Sequence, residues 1–165
     1  MTDGARVHRP RFVCKAHQHG LAMVELAIAA PLLLLLLYAI AEFGNALYQY
    51  ALLADAARDA DRYLGSHAIA DSTGLPTISA SIASATRNLV VYGNTAGSGT
   101  ALLPGLTTGQ VSVAAQTDAG GATDVTVSVA YPYQSLFGGS IPNFVSAGTV
   151  NTAFTLNVFT SMRPL

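Results

Sequence analysis

Between Glu25 and Glu42 the chain runs for sixteen residues without a charge, Leu26 to Ala41, and Leu32 to Leu37 are six consecutive leucines. At about 1.5 Å per residue a helix covers roughly 24 Å with this run. Adding Leu21 to Val24 brings it to about 30 Å, near the hydrocarbon thickness of a bilayer. The stretch therefore predicts one membrane-spanning helix. Pro31 falls inside it, where a soluble helix would lose about 3 kcal/mol. Membrane helices tolerate proline, usually with a kink, so a bend near Pro31 is expected.

What precedes the run is basic. Residues 1–20 hold Arg6, Arg9, Arg11 and Lys15 against one acid, Asp3, and Pro10 breaks any helix there. The segment reads as a leader rather than part of a fold. In an ordinary secretory signal the small-residue cleavage site follows the apolar stretch. Here Gly20 precedes it, so a cut between Gly20 and Leu21 keeps the apolar helix in the mature protein. The positive-inside rule puts residues 1–20 in the cytoplasm and the bulk of the chain outside. Removing the leader leaves four basic and eight acidic side chains, a formal charge of −4 against −1 for the whole chain. No basic patch survives for phosphate contacts, and nucleic acid is not an expected partner.

Glu25 lies five residues beyond Gly20, within the apolar segment. A carboxylate at membrane depth is costly, and its default reading is functional. The obvious counter-charge is the free amine that cleavage creates at Leu21. Gly20 and Leu21 are thus candidate processing residues, and Glu25 a candidate assembly residue.

Past Glu42 the helix should continue to about Leu64, with Phe43, Leu47, Tyr50, Ala54, Ala57 and Leu64 at helical spacing and Gly65 as its stop. From Leu21 it would measure on the order of 65 Å. Residues 65–165 change character, being rich in Ser, Thr, Gly, Ala and Val. Pro76 reads as the opening of a second helix with Ile78, Ile82, Ala85 and Leu89 on its apolar face. Three alternating segments read as strands: 110–114, 124–131 and 153–160. Asp118-Ala119-Gly120-Gly121 suits a hairpin between the first two. The connection from Pro132 to Thr149 is either a recognition loop or a plain crossover. The expected fold is α+β: a long hydrophobic helix extended as a stalk, then a small antiparallel sheet with a second helix. Three regions result: 1–20, a removable leader; 21–64, the membrane helix and its extension; and 65–165, a small exported domain.

No catalytic set is visible, and no enzyme activity or cofactor is expected. Cys14 is the only cysteine and lies in the leader, so the mature chain has no disulfide framework. His17 and His19 lack further ligands nearby, and His67 lacks catalytic partners. Asp55, Asp59, Asp61 and Asp71 miss the spacing of a calcium loop and read as a solvated face.

Gly20, Ala22-Met23-Val24-Glu25-Leu26-Ala27, Pro31-Leu32-Leu33-Leu34, Ala41-Glu42-Phe43-Gly44 and the extension ending in Asp61-Arg62-Tyr63 occur in that order. Together they resemble the TadE-like family, minor pseudopilins of the tight-adherence system that builds Flp-type type IV pili. The resemblance implies cleavage by a prepilin peptidase at Gly20–Leu21. It also implies residence in the inner membrane and periplasm, and partnership with other pilins, pseudopilins and pilus assembly proteins. Glu25 matches the family's acidic position. The chain departs from the major Flp pilins in being much longer. Two other readings compete: an uncleaved, single-pass anchor displaying a periplasmic binding module, and a secreted enzyme with an atypical signal.

Overall fold

The computed structural model describes residues 16–70, 76–117, 123–142 and 148–163. Cys14, the four leader bases, Asp71 and Asp118-Ala119-Gly120-Gly121 lie outside them. The chain divides into two compact units, Met1–Ile40 and Ala41–Leu165.

The first unit, where described, is helical and belongs to α1, Ala16–His67. The helix starts inside the segment read as leader, because no proline or other breaker stands between Pro10 and Gly20. It runs through Pro31 without interruption. Its apolar side chains lie open: Leu32 to Leu37 are between 36% and 71% exposed. An uninterrupted apolar surface of this kind needs a nonaqueous cover. Among the described residues one helix is long and apolar enough to cross a membrane, and it fits a single-pass membrane anchor.

The second unit holds the core. Strands β1 (Ile69–Ala70) and β2 (Pro76–Thr77) form a small antiparallel pair. Helix α2 spans Ala80–Tyr92. Strands β3 (Val111–Thr117), β4 (Thr123–Pro132) and β7 (Thr155–Met162) make an antiparallel sheet with β4 in the centre. Strands β5 (Ser140–Pro142) and β6 (Thr149–Asn151) form another small pair. A long N-terminal helix, a three-stranded antiparallel sheet and a second helix confirm the α+β reading.

The alternation of β4 is the strongest local signal, and the structure follows it. Val125, Val127, Val129 and Tyr131 are each at most 1% exposed. They line up with Val111 and Val113 on β3 and with Val158 and Leu156 on β7. Against this face pack Leu53, Ala57, Ala60 and Leu64 of α1 and Val90 and Val91 of α2. The sheet therefore shares its core with both helices. The Tyr131 hydroxyl donates to the Pro104 carbonyl at 2.8 Å, which satisfies the polar end of an otherwise buried ring.

Three sequence expectations need correction. Pro76 does not open α2; it sits in β2, and Ser79 is the cap, its Oγ accepting from the Ile82 N–H at 3.3 Å. A serine supplies the acceptor that a helix N-terminus lacks, which proline cannot. The buried positions of α2 are Thr86, Val90 and Val91, while Ile82 and Leu89 flank the core half-buried. Gly65 does not stop α1, which continues to His67. Its role is close approach: a Cβ there would stand 3.0 Å from Met162 Sδ of β7. The last turn is held instead by His67, whose Nδ1 lies 2.9 Å from the Tyr63 carbonyl and whose ring stacks on Tyr63 at 4.1 Å. Finally, Phe43, Leu47 and Tyr50 are 67%, 53% and 45% exposed, so the apolar stripe expected there is not the packing face.

Candidate functional site

The face of α1 that does pack changes chemistry along its length. From Leu53 to Leu64 it is apolar; before Leu53 it is Glu42, Asn45 and Gln49. Spacings of three and four residues put all of these on one side of the helix. Glu42 and Gln49 are buried, at 9% and 6% exposure. All three grip one stretch, residues 133–137, which follows β4.

Glu42 is the centre of this grip. Its Oε1 accepts from the Ser135 hydroxyl at 2.6 Å and from the Phe137 N–H at 3.2 Å. Its Oε2 accepts from the Tyr133 hydroxyl. That hydroxyl in turn accepts from Asn45 Nδ2 at 3.1 Å. Asn45 Nδ2 also donates to the Gln134 carbonyl at 3.0 Å. Gln49 closes a reciprocal amide pair: its Nε2 donates to the Gln134 carbonyl at 2.8 Å, and its Oε1 accepts the Gln134 N–H at 3.3 Å. The Tyr133 ring stacks on Phe154 with centroids 4.6 Å apart.

Burial on its own pushes the Glu42 carboxyl up. Donation from Ser135, then Tyr133, then the backbone of Phe137 and Leu136 outweighs it, and the group is held below the ordinary glutamate range. The carboxylate is thus charged and fully engaged. Its donors come from one stretch, so the constellation ties residues 133–137 to α1. Within the Pro132–Thr149 connection, residues 133–137 are hydrogen-bonded to α1, and β5 and β6 follow. Residues 143–147 lie outside the described residues.

The predicted site residues sit elsewhere on α1. Gly20, Leu21 and Glu25 are all exposed, and a Cβ at Gly20 would meet nothing within 4 Å. Leu21 and Glu25 are one helical turn apart and share a side of the helix. The helix brings these two together. Sequence reasoning missed Glu42 as a site. A signal existed: it is the first charge after the apolar run, and it stands in the Ala41-Glu42-Phe43-Gly44 motif.

A second carboxylate departs from expectation. Asp61, read as part of a solvated face with Asp55 and Asp59, is only 3% exposed. Asp55 does lie in solvent and pairs with Arg58 at 2.8 Å. Burial pushes the Asp61 carboxyl up; Thr160 on β7 opposes this in part, yet neither Asp61 Oδ1 nor Thr160 Oγ1 makes a hydrogen bond. An acid whose folded-state value is raised binds its proton more tightly when native, so stability falls as pH rises from the ordinary aspartate range to the raised one. Asp61→Asn is expected to flatten that slope and to gain about 1 kcal/mol at neutral pH, where a buried, incompletely bonded carboxylate is charged. Urea melts across the acidic-to-neutral range measure both effects. Among the described residues no group of three or more His, Cys, Asp or Glu could hold a metal ion.

The family model described as TadE-like protein matches residues 20–62, about a quarter of the chain. No curated protein and no solved structure gives a match. The match starts at Gly20 and takes in Glu25, Glu42 and Asp61, so it covers both the exposed apolar turns of α1 and the polar face that holds residues 133–137. Over residues 20–62 the chain is similar to the TadE-like family.

Proposed function

We propose that the chain is a minor pseudopilin-like structural and assembly protein of a Flp-type, tight-adherence pilus. In this reading a prepilin peptidase cuts it after Gly20. The mature chain is held in the inner membrane by the apolar part of α1, with its N-terminus cytoplasmic and residues 65–165 periplasmic. It works with other pilins, pseudopilins and assembly proteins, and it is not an enzyme. One observation carries the proposal: the TadE-like match begins at Gly20, the residue at which the basic leader gives way to the apolar helix. The family points to a Tad pilus-related protein, and the place of the match supports processing there.

Glu25 then has a task. Its charge costs a few kcal/mol within a bilayer, and an amine freed at the Leu21 of a neighbouring subunit offsets that cost in a low-dielectric setting. Glu25→Leu is expected to stay in the membrane fraction, with a more hydrophobic helix, and to lose its partners. Crosslinked pilins should co-purify about tenfold less well, the effect of losing on the order of 1.4 kcal/mol of association. Undiminished crosslinking and normal piliation in the variant would show that Glu25 does not serve assembly.

A further inference from the structure

An apolar groove of about 430 Å³ runs between α1 and the end of α2. Leu52 and Ala56 of α1, Leu89 of α2 and Leu102 line it, with Asp55 and Asp59 of α1 at its rim. Its wall is fixed chain. The Leu102 N–H donates to the Val91 carbonyl at 2.7 Å. The Leu102 side chain lies over Gly93, where a Cβ would stand 3.8 Å from it. Asp55 is already paired with Arg58 at 2.8 Å. Among the described residues Asp59 is in no ion pair. The groove therefore suits an apolar side chain with a cation beside it, and its size admits an aromatic ring.

The other side of the same unit presents that combination. Val127 and Val129 of β4 are buried in the core, so Ser128 between them and its register partner Phe159 on β7 face away from it. Phe159 is 64% exposed. Its neighbours on that face, Ser128, Asn157 and Ser161, are all short, so the ring stands above the sheet. Arg163 follows four residues later. Its Nε lies 3.8 Å from Asp124 Oδ1, with the arginine side chain 71% exposed. An exposed pair at that distance contributes little, and the guanidinium can exchange it for another carboxylate. Four residues of extended chain span about 13 Å, and the seven from Leu52 to Asp59 span about 10 Å of helix. A ring seated in the groove thus leaves Arg163 within its own length of Asp59.

We infer that the chain binds a second copy of itself head to tail, the Phe159 ring of one copy entering the α1–α2 groove of the next and Arg163 meeting Asp59. The two surfaces differ, one on the sheet and one on the helix layer, so each contact leaves one ring and one groove open at its ends. Such a heterologous contact propagates into a row of copies unless its rotation closes a ring of subunits. The contact needs neither cleavage after Gly20 nor Glu25, and every residue in it lies in the unit Ala41–Leu165.

Phe159→Asp removes the aromatic ring, and Ala56→Arg fills the groove with a cation. Asp59→Arg, at an exposed position, is a second groove variant that leaves the packing untouched. The full-length parent and variants are compared in excess mild detergent by sedimentation velocity across a wide concentration range, with circular-dichroism melts to show that each is folded. The parent should grow past the dimer as its concentration rises. Each variant alone should associate at least about tenfold more weakly, a loss of on the order of 1.4 kcal/mol. An equimolar mixture of Phe159→Asp with either groove variant should give dimers and nothing larger, because each pair then holds one intact ring and one intact groove. A parent that stays monomeric overturns the inference. Variants that associate as the parent does would place the contact elsewhere on the chain and overturn it too, as would a mixture that forms no dimer.

Discussion

Glu42→Leu should destabilise the C-terminal unit by about 2 kcal/mol. The substitution removes the carboxylate acceptor of the Ser135 hydroxyl and one acceptor each from the Tyr133 hydroxyl, which keeps the Glu42 carbonyl, and from the Phe137 N–H, which keeps Ser135 Oγ. A buried donor left unpaired costs about 1–3 kcal/mol, and water recovers part of this for the more exposed members. Glu42→Gln keeps an acceptor at the site and should lose about 1 kcal/mol, the difference between a charge-assisted and a neutral hydrogen bond. The two variants also differ from the parent in their response to acid. The Glu42 carboxyl is held below its ordinary range by its donors. Its contribution is therefore present above the ordinary glutamate range and is lost as pH falls through the lowered value. In both variants that part of the acid sensitivity should disappear. The measurement is urea unfolding of the full chain in a mild detergent, followed by tyrosine fluorescence across the acidic range. A variant that melts like the parent at neutral pH would show that the grip on residues 133–137 contributes little to stability.

Leu64→Ala should cost about as much by a different route. Leu64 is fully buried where α1 meets the sheet. Truncating a buried leucine to alanine removes transfer energy and leaves a cavity, together about 2–5 kcal/mol. In a unit of this size that lowers the midpoint by on the order of 10 °C. Leu47→Ala is the control, since Leu47 lies on the same helix at 53% exposure and should change stability by no more than about 0.5 kcal/mol. Equal losses at the two positions would contradict the packing face assigned to α1.

These two residues mark what the sequence could and could not convey. The apolar run is legible because nothing but lipid or a large core accommodates sixteen uncharged, leucine-rich residues. Strand β4 is legible because Val125, Val127, Val129 and Tyr131 alternate without a break. The polar part of the α1 stripe is not legible by the same means. Periodicity is read from apolar residues, and Glu42, Asn45 and Gln49 are polar positions whose partners lie far along the chain, around Tyr133 to Phe137. Phe43, Leu47 and Tyr50 had helical spacing as well, and competed for the same assignment. Gly65 and Pro76 failed for a related reason. Each is read from local preference as a helix boundary, whereas Met162 on a distant strand and the pairing of β1 with β2 decided their roles. Asp61 carried no sign of burial, because only the fold brings Thr160 to its side. The candidate processing and assembly residues Gly20, Leu21 and Glu25 came from the junction of leader and apolar run, and Glu42 came into view only with the contacts of residues 133–137.

Cleavage after Gly20 is the central claim, since the role of Glu25 depends on the amine it releases. Intact-mass analysis of the protein extracted from membranes of cells with an active prepilin peptidase tests it most directly. The expected mass is that of a chain beginning at Leu21, and Gly20→Val should block its appearance. A full-length chain in those membranes would contradict the pseudopilin account and favour an uncleaved anchor.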